Sequence, residues 1–249
     1  MKKIAIITGA SSGMGREFVR QLNKCTTTLD EVWVIARREE RLTALQKEID
    51  NFPLRIAALD ICKEKDLDIL AGMLEREHPV VRLLVNAAGM GKAGRFEDLT
   101  RKEVQNIVEL NDKALVSITH MVLPYMNKPG NIIELASASA FMPQKEFAVY
   151  AASKAFVLSF SRALYAELKK QGITVTAVCP GPVDTEFLKI SNGEKKQKRI
   201  KKLVTIQPEP VVAKALRDAK AGKELSVYGM PMKAVSIAAK LLPHKLFLQ

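Results

Sequence analysis

Short apolar runs alternate with amphipathic segments through the first 180 residues of the chain. The first run, Ile4-Ala-Ile-Ile-Thr8, stops at Gly9, as a buried strand of a parallel sheet does. Segments of helical period follow the runs. The pattern predicts strands at 4–8, 31–36, 54–59, 82–86, 131–136, 174–179 and 225–228. It predicts helices at 14–24, 38–50, 64–77, 100–126, 150–171 and 208–221, with another amphipathic helix near the C-terminus.

This alternation has a topological consequence. Parallel strands joined through helices need right-handed crossovers, so the pattern predicts an α/β fold with a doubly wound parallel sheet of Rossmann type and helices on both faces. Neither an internal repeat nor a low-complexity linker divides the sequence, so residues 1–249 are expected to form a single domain. The alternation stops after Pro180. Residues 182–207 are expected to be an insertion that covers the substrate, and 231–249 a C-terminal helix and tail.

The composition is that of an ordinary globular protein, with 47% hydrophobic and 27% charged residues. No apolar run approaches the roughly 20 residues of a membrane-spanning helix, and the N-terminal run is too short for a secretory signal. Cys25, Cys62 and Cys179 are widely spaced, which favours reduced thiols over a disulfide framework or a metal site. We therefore expect a cytoplasmic protein without a metal.

The net charge of +12 raises the question of a nucleic-acid partner. Seven basic residues and one acidic residue lie between Lys189 and Lys202, so half of the excess charge falls in one segment. A nucleic-acid groove combines basic stripes with stacking aromatic residues, and this run has none. A solvated loop or helix face is the favoured interpretation. Nucleic-acid binding stays as an alternative, which a salt-dependent DNA shift abolished by neutralising Lys195 to Lys202 would support.

A glycine-rich turn separates the first predicted strand from the first helix. Its glycines, Gly9, Gly13 and Gly15, differ in spacing from the common G-x-G-x-x-G dinucleotide fingerprint. The free N–H groups and the dipole of a helix N-terminus still favour an anion there, and Ser11 and Ser12 add hydroxyl donors. The turn indicates a phosphate-binding site, with a purely structural turn as the alternative.

Tyr150 and Lys154 stand four residues apart in a predicted helix and so project from one face of it. An ammonium group beside a phenol is expected to lower the phenol pKa from its usual value of about 10. Such a tyrosine exchanges protons with an alcohol or a carbonyl near neutral pH. With a phosphate-binding turn, the pair indicates an oxidoreductase; an interface tyrosine beside a solvated lysine is the alternative.

Five motifs occur in a fixed order along the chain. They are Thr8–Gly15, Asp60 after the third strand, Asn86-Ala-Ala-Gly89, the set Ser137/Tyr150/Lys154, and Pro180-Gly-Pro-Val-Asp-Thr185. This series resembles the short-chain dehydrogenase/reductase family in its shorter form, over roughly residues 3–186. Each motif alone is weak, whereas five in order are very specific. Two departures are Ala136, where many relatives have a serine, and Glu134, where asparagine is frequent.

The resemblance implies a role for each matching residue. Tyr150 would donate a proton to the carbonyl oxygen during reduction, Ser137 would hydrogen-bond that oxygen, and Lys154 would lower the tyrosine pKa and bind the nicotinamide ribose. Asn111 matches a helix asparagine whose backbone carbonyl holds a water leading to the lysine. The implied catalytic residues are Asn111, Ser137, Tyr150 and Lys154. The spacing of thirteen residues before Tyr150 favours Ser137 over Ser139.

The same resemblance implies where the cofactor binds. Asp60 would accept a hydrogen bond from the adenine amino group, with a strand-end cap as the alternative, and the Asn86–Gly89 segment would approach the adenine ribose. The turn that starts at Pro180 would fix the nicotinamide carboxamide. The implied cofactor-binding residues are Gly9, Ser11, Ser12, Gly13, Met14, Gly15, Arg37, Arg38, Asp60, Ile61, Asn86, Ala87, Gly89, Tyr150, Lys154, Pro180, Gly181, Val183 and Thr185.

The residues after the second strand bear on the choice of cofactor. An acidic residue there binds the ribose 2′-hydroxyl of NAD(H) and repels a 2′-phosphate. This chain has Arg37 and Arg38 instead, and guanidinium groups bind phosphate through paired hydrogen bonds. NADP(H) is therefore expected over NAD(H), with a charge pair to Glu39 and Glu40 as the alternative.

Apolar residues near the expected reaction centre favour a hydrophobic ketone or aldehyde, such as a steroid, a bile-acid-like compound or an acyl ketone. Small aldehydes and sugars stay as alternatives. The residues concerned are Phe141, Met142, Phe147, Phe187, Leu188 and Ile190.

An apolar stripe near the C-terminus comprises Ala234, Ile237, Ala238, Leu241 and Leu242. It is expected to pack on the domain or on a second subunit of a homodimer or homotetramer, with peripheral contact to a lipid surface as the alternative.

The sequence thus favours an NADP(H)-dependent oxidoreductase that interconverts a carbonyl compound and an alcohol. The alternative of another class is a catalytically silent NADP-binding sensor or scaffold. Retention of Ser137, Tyr150 and Lys154 disfavours it, because a silent protein has no need of all three.

Overall fold

The structure is a computed structural model and describes residues 1–25, 28–192 and 205–241. Within these residues the strands are β1 (Lys3–Thr8), β2 (Glu31–Ile35), β3 (Leu54–Ala57), β4 (Val80–Asn86), β5 (Met126–Leu135), β6 (Ile173–Val178) and β7 (Leu225–Ser226). The helices are α1 (Gly13–Lys24), α2 (Glu39–Gln46), α3 (Glu64–Glu77), α4 (Arg101–Val108), α5 (Ala114–Val122), α6 (Ala148–Leu168), α7 (Glu186–Asn192), α8 (Pro208–Lys220) and α9 (Met230–Leu241).

The strands of the described residues form one sheet in the order β3-β2-β1-β4-β5-β6-β7. Every neighbouring pair is parallel. The chain therefore winds outward from β1 in one direction and then from β4 in the other. The predicted doubly wound fold is confirmed. In such a sheet a crevice opens at the carboxyl ends of the strands where the winding reverses, here between β1 and β4.

Both faces of the sheet are covered, which explains why its strands are continuous apolar runs. In β1, Ile4 and Ile6 pack with α3 and α5 on one face. Ala5 and Ile7 pack with α1, α2 and α8 on the other. The alternation of side chains along a strand thus divides the core into two layers, and helices lie on both faces as predicted.

The helix predicted at 100–126 is interrupted. The structure has α4, a wide turn of π-helical hydrogen bonding at Glu109–Lys113, α5 and a short 3₁₀ turn at Leu123–Tyr125. The interruption lies where Asn111, fully buried, bonds with residues of other elements. Helical period alone does not reveal such a contact. Strand β5 begins earlier than predicted, at Met126.

The predicted insertion at 182–207 is not wholly irregular. It contains α7, and Val183 pairs with Ile206 in an isolated bridge. Residues 193–204, with most of the basic run, lie outside the described residues.

In the stripe predicted near the C-terminus, Ile237 and Leu241 are 58% and 76% exposed and do not pack on the domain, so packing of the stripe on a second subunit stays a prediction. Helix α9 turns Met232 and Ala239 toward the domain instead. Leu242 and the tail after it lie outside the described residues. No helix in the described ranges is long and apolar enough to cross a membrane.

Candidate active site

A cleft of about 880 Å³ opens at the carboxyl ends of the strands. Its lining includes most of the predicted residues, namely Gly9, Ser11, Ser12, Gly13, Met14, Arg37, Arg38, Asp60, Ile61, Ala87, Gly89, Ser137, Tyr150, Lys154, Pro180, Gly181, Val183 and Thr185. Gly15, Asn86 and Asn111 are not among the lining residues. The structure places these three behind the cleft wall, where they support it.

The glycine turn leaves anion-binding groups free at the start of α1. Gly9 and Gly13 have φ of +68° and +54°, which an L side chain rarely adopts. A side chain at Gly15 would collide with the Gly9 carbonyl, so the helix can start close to the strand only with glycine there. The Ser12 side chain does not cap the helix, and the first turn contains no acidic residue. The N–H groups of this turn therefore suit a phosphate.

The Arg38 guanidinium lies directly above this turn. It donates to the Ser11 and Ser12 hydroxyls at 3.1 and 3.0 Å and to Glu186 Oε1 at 2.9 Å. Arg41 donates to Glu186 Oε2 at 2.8 Å. Hydrogen bonds from Arg38 and Arg41 lower the pKa of Glu186 to about 2. The sequence predicted Arg38 but missed Arg41 and Glu186, because the pairing joins residues 145 and 148 positions apart.

The segment after β4 is fixed by a hydroxyl from β1. Thr8 Oγ1 accepts from the backbone N–H groups of Ala87 and Ala88 at 3.1 and 3.2 Å. Asp60, across the cleft, accepts from the Cys62 N–H at 3.3 Å. Asp60 thus closes a turn three residues after β3 ends and also lines the cleft, and its contact with the adenine amino group stays a prediction.

Tyr150 occupies the other end of the cleft. Its ring lies between Phe147 and Phe187, with centroid distances of 4.3 and 5.4 Å, and the Ser137 side chain is near enough to its hydroxyl to favour the phenolate. Gly91 permits this packing, because a Cβ there would approach the Tyr150 ring to 2.9 Å. The Ser137 hydroxyl accepts from the Ser139 N–H at 3.1 Å, which fixes the oxygen at the end of β5.

The expected lowering of the Tyr150 pKa by Lys154 is wrong in this structure. Burial raises the pKa of Tyr150 to about 12, and the opposing effect comes from the hydrogen bond with Ser137. Lys154 Nζ lies 5.9 Å from the ring centroid and donates to the Leu135 carbonyl at 2.7 Å. Burial lowers the pKa of Lys154 itself to about 8. The pair therefore consists of a protonated phenol and an ammonium that readily loses its proton.

Asn111 joins two walls of the site. Its amide exchanges hydrogen bonds with the backbone of Met90, both at 2.9 Å, and donates to Ser153 Oγ at 2.9 Å. A Cβ at Gly89 would lie 3.3 Å from Asn111 Oδ1 and 3.4 Å from Lys154 Nζ, so the asparagine side chain is close to the lysine. Since the side chain is engaged in these bonds, a proton relay through this residue would use its backbone carbonyl.

Several apolar side chains line the cleft. Met142, Phe147, Phe187, Leu188 and Ile190 line it as predicted, and Met232 and Val235 of α9 line it as well, which the sequence analysis missed. The prediction for Phe141 is wrong: its side chain packs with the core cluster around Leu115 and Val157.

Glu134, one of the departures from the family pattern, lies behind the site. It is fully buried, and its Oε1 accepts from Asn86 Nδ2 at 3.1 Å and Thr119 Oγ1 at 3.0 Å. Its Oε2 and Asn86 Oδ1 have no hydrogen-bond partner among the described residues. A carboxylate without solvent around it is costly, so its buried surroundings favour the protonated, neutral form of Glu134. Burial accordingly raises the pKa of Glu134 to about 8.

We expect a Glu134→Gln variant to change how stability depends on pH. The unfolded chain releases this proton near pH 4.5 and the folded protein near pH 8, so the stability contributed by the group is full below 4.5 and falls as pH rises to 8. The amide has no proton to lose. The variant should therefore gain about 2–4 kcal/mol relative to the wild type between pH 5 and pH 8 in urea unfolding. Glu167→Gln, at an exposed carboxylate of α6, is the control; parallel pH profiles for the wild type and Glu134→Gln would contradict the assignment.

One cleft holds Ser137, Tyr150 and Lys154 at one end and a glycine turn suited to phosphate at the other. This arrangement is typical of an oxidoreductase that uses a nucleotide cofactor. A family model, short chain dehydrogenase, matches residues 3–196, and the chain belongs to this family.

Individual relatives agree with this assignment. The chain is 35% identical to sulfoacetaldehyde reductase 2 of Chromohalobacter salexigens over 201 residues, which cover 78% of this chain and 77% of the relative. It is 30% identical to an uncharacterized oxidoreductase of Staphylococcus epidermidis, with 79% and 85% covered. A short-chain dehydrogenase from Sphingobium yanoikuyae in complex with NADPH superimposes with a TM-score of 0.83 at 26% identity, covering 98% of this chain and 95% of that one.

Proposed function

We propose that this oxidoreductase uses NADP(H) and acts mainly as a reductase of a hydrophobic ketone or aldehyde. One observation carries the proposal: Ser137, Tyr150 and Lys154 line the same cleft as the glycine turn and Arg38. The Sphingobium relative in complex with NADPH supports the nature of the cofactor. Reduction is favoured because cellular NADP(H) is usually kept in its reduced form, and in that direction Tyr150 would act as the proton donor.

The side chains of the site have distinct tasks. A bound nicotinamide supplies the hydride that goes to the carbonyl carbon. Tyr150 donates its proton to the carbonyl oxygen, and Ser137 hydrogen-bonds the same oxygen and stabilises the charge that develops there. Lys154 Nζ, which donates to the Leu135 carbonyl, places a positive charge near the Tyr150 ring and would bind the nicotinamide ribose. Asn111 positions the Met90 loop and helix α6 around these groups.

The choice of cofactor is tested by replacing Arg37 and Arg38 with aspartate and serine. Because the two guanidinium groups would bind the 2′-phosphate, NADPH affinity should fall by about 10²-fold or more and NADH affinity by less than about 3-fold. Fluorescence titration of both nucleotides measures the difference. Arg101→Ser, at an exposed arginine of α4, is the control. Equal losses for the two nucleotides would contradict a 2′-phosphate site.

The charges and apolar groups that line the cleft indicate which class of substrate it can bind. Among the described lining residues, the cations are Arg37 and Arg38 at the nucleotide end and Lys154 at the reaction centre. A cation for an anionic substrate, such as the one named for the Chromohalobacter relative, would have to come from the basic run of the 182–207 insertion, most of which lies outside the described residues. We favour a hydrophobic carbonyl compound because apolar side chains such as Phe147 and Phe187 line the described cleft. A panel of ketosteroids, acyl ketones, short aldehydes, sugars and sulfoacetaldehyde, followed by NADPH absorbance, separates these classes.

The same panel separates the enzyme from a silent NADP-binding protein. Binding of NADPH without turnover of any carbonyl compound would favour the sensor or scaffold. The coverage of the substrate by the 182–207 insertion remains a prediction, since 193–204 lie outside the described residues.

Helix α6 presents Phe156 and Phe160, stacked at 6.1 Å, and Phe156 is 45% exposed. We propose a second copy of the chain as the partner of this face, in a homodimer or homotetramer. The cytoplasmic location and the contact with a lipid surface remain predictions.

A further inference from the structure

The Glu186 carboxylate pairs with Arg38, which the proposed function assigns to phosphate, and with the neighbouring Arg41. It accepts from Arg38 Nη1 at 2.9 Å through one oxygen and from Arg41 Nη1 at 2.8 Å through the other. Arg38 Nη2 also lies 2.9 Å from Glu186 Oε2, so Arg38 meets the carboxylate with both terminal nitrogens. In the part of the chain that the structure describes, Glu186 is the carboxylate paired with these arginines.

A carboxylate and a phosphate bind a guanidinium through the same fork of N–H groups. The fork of Arg38 that holds Glu186 is therefore not available to a ribose phosphate at the same time. We infer that Glu186 weakens the preference for NADP(H) by competing with its 2′-phosphate for Arg38 and Arg41. This inference rests on the proposed function, in which Arg38 binds that phosphate.

The physical properties of the pair decide which ligand prevails. Both side chains are about one-third exposed, at 37% for Arg38 and 32% for Glu186, and water weakens such ion pairs. A phosphate monoester has up to two negative charges and three acceptor oxygens, so it can displace a single carboxylate. Displacement still reduces the net affinity for NADPH. NADH has no 2′-phosphate and can leave the carboxylate in place. Glu186 therefore reduces the ratio of NADPH affinity to NADH affinity.

The test compares NADPH and NADH dissociation constants, measured by fluorescence titration of the full-length chain, for the wild type, Glu186→Gln and Glu186→Ala. Both variants should tighten NADPH binding about 3- to 10-fold and change NADH binding less than about 2-fold. Glu209→Gln is the matched control, because Glu209 and Glu186 both line a second, smaller cleft beside the glycine turn and the variant loses the same charge. In an Arg38→Met background, Glu186→Gln should change the NADPH dissociation constant less, because one of the two arginines for which Glu186 competes is gone.

The outcomes distinguish the inference from the proposed function. If the wild type prefers NADPH and Arg38→Met removes that preference, the phosphate site is supported. Glu186→Gln and Glu186→Ala could then leave the ratio of the NADPH and NADH dissociation constants unchanged, or weaken NADPH binding. Either result would overturn the competition by Glu186 and leave the phosphate site in place. If Arg38→Met weakens both nucleotides equally, the phosphate site itself is overturned, and the competition with it. A Glu209→Gln effect equal to that of Glu186→Gln would show a general effect of charge and would also overturn the competition.

Discussion

A Tyr150→Phe variant is expected to lose about 10²- to 10⁴-fold in turnover while it binds NADPH with nearly unchanged affinity. The substitution removes one oxygen atom, and with it the proton that the carbonyl oxygen receives. The ring that remains still fits between Phe147 and Phe187. The loss should therefore appear in kcat rather than in nucleotide binding or in stability.

The matched control is Tyr165→Phe on the same helix. The Tyr165 hydroxyl donates to the Gly222 carbonyl at 3.1 Å, away from the cleft, so this variant should lose some stability and little turnover. NADPH oxidation with an accepted carbonyl compound gives kcat, and fluorescence titration gives NADPH affinity. Wild-type turnover in Tyr150→Phe would remove Tyr150 from the role of proton donor.

A Gly9→Ala variant is expected to lose about 2–5 kcal/mol of stability, together with NADPH binding. Gly9 has φ of +68°, and a Cβ there would lie 2.7 Å from Ala88 N and 2.8 Å from Ala88 Cα. These are backbone atoms of the segment after β4, so no side-chain rotation relieves the collision. The glycine turn and the segment after β4 would have to separate, and both contribute to the cofactor end of the cleft.

Gly72→Ala in helix α3 is the control for the added methyl group. Its nearest described contact would be the flexible end of Arg76 at 3.7 Å, so alanine there should raise stability slightly through its better helix propensity. Thermal unfolding and NADPH titration of both variants measure the contrast. A Gly9→Ala protein with the stability and affinity of the wild type would show that the turn can open without cost.

Much of the fold was predictable because its signals are local. Continuous apolar runs such as Ile4–Thr8 exist because the strands are covered on both faces, and the helices between them show their own period. The wide turn around Asn111 was not predictable in this way. Its cause is a buried amide that bonds to Met90 and Ser153, residues 21 and 42 positions away.

In the candidate site, too, local signals were predictable and contacts between distant residues were not. Tyr150, Lys154 and Ser137 were identified from spacing and resemblance, but the direction of the Tyr150 pKa was not, because it depends on how deeply the ring is buried. Similarly, Arg38 was visible after the second strand, whereas its pairing with Glu186 required the loop after Pro180 to fold back across the glycine turn. Met232 and Val235 were missed because nothing in the pattern of the last helix indicates that it closes one side of the cleft.

Three consecutive residues at the start of α7 reach three different places along the cleft. Thr185 packs against Gly13, with 3.3 Å between Thr185 Cβ and a Cβ built at that glycine. Glu186 pairs with Arg38, and the Phe187 ring lies 5.4 Å from that of Tyr150. Inserting or deleting a single residue here would move each side chain to its neighbour's position and break all three contacts together. This short stretch is therefore under a constraint on its length.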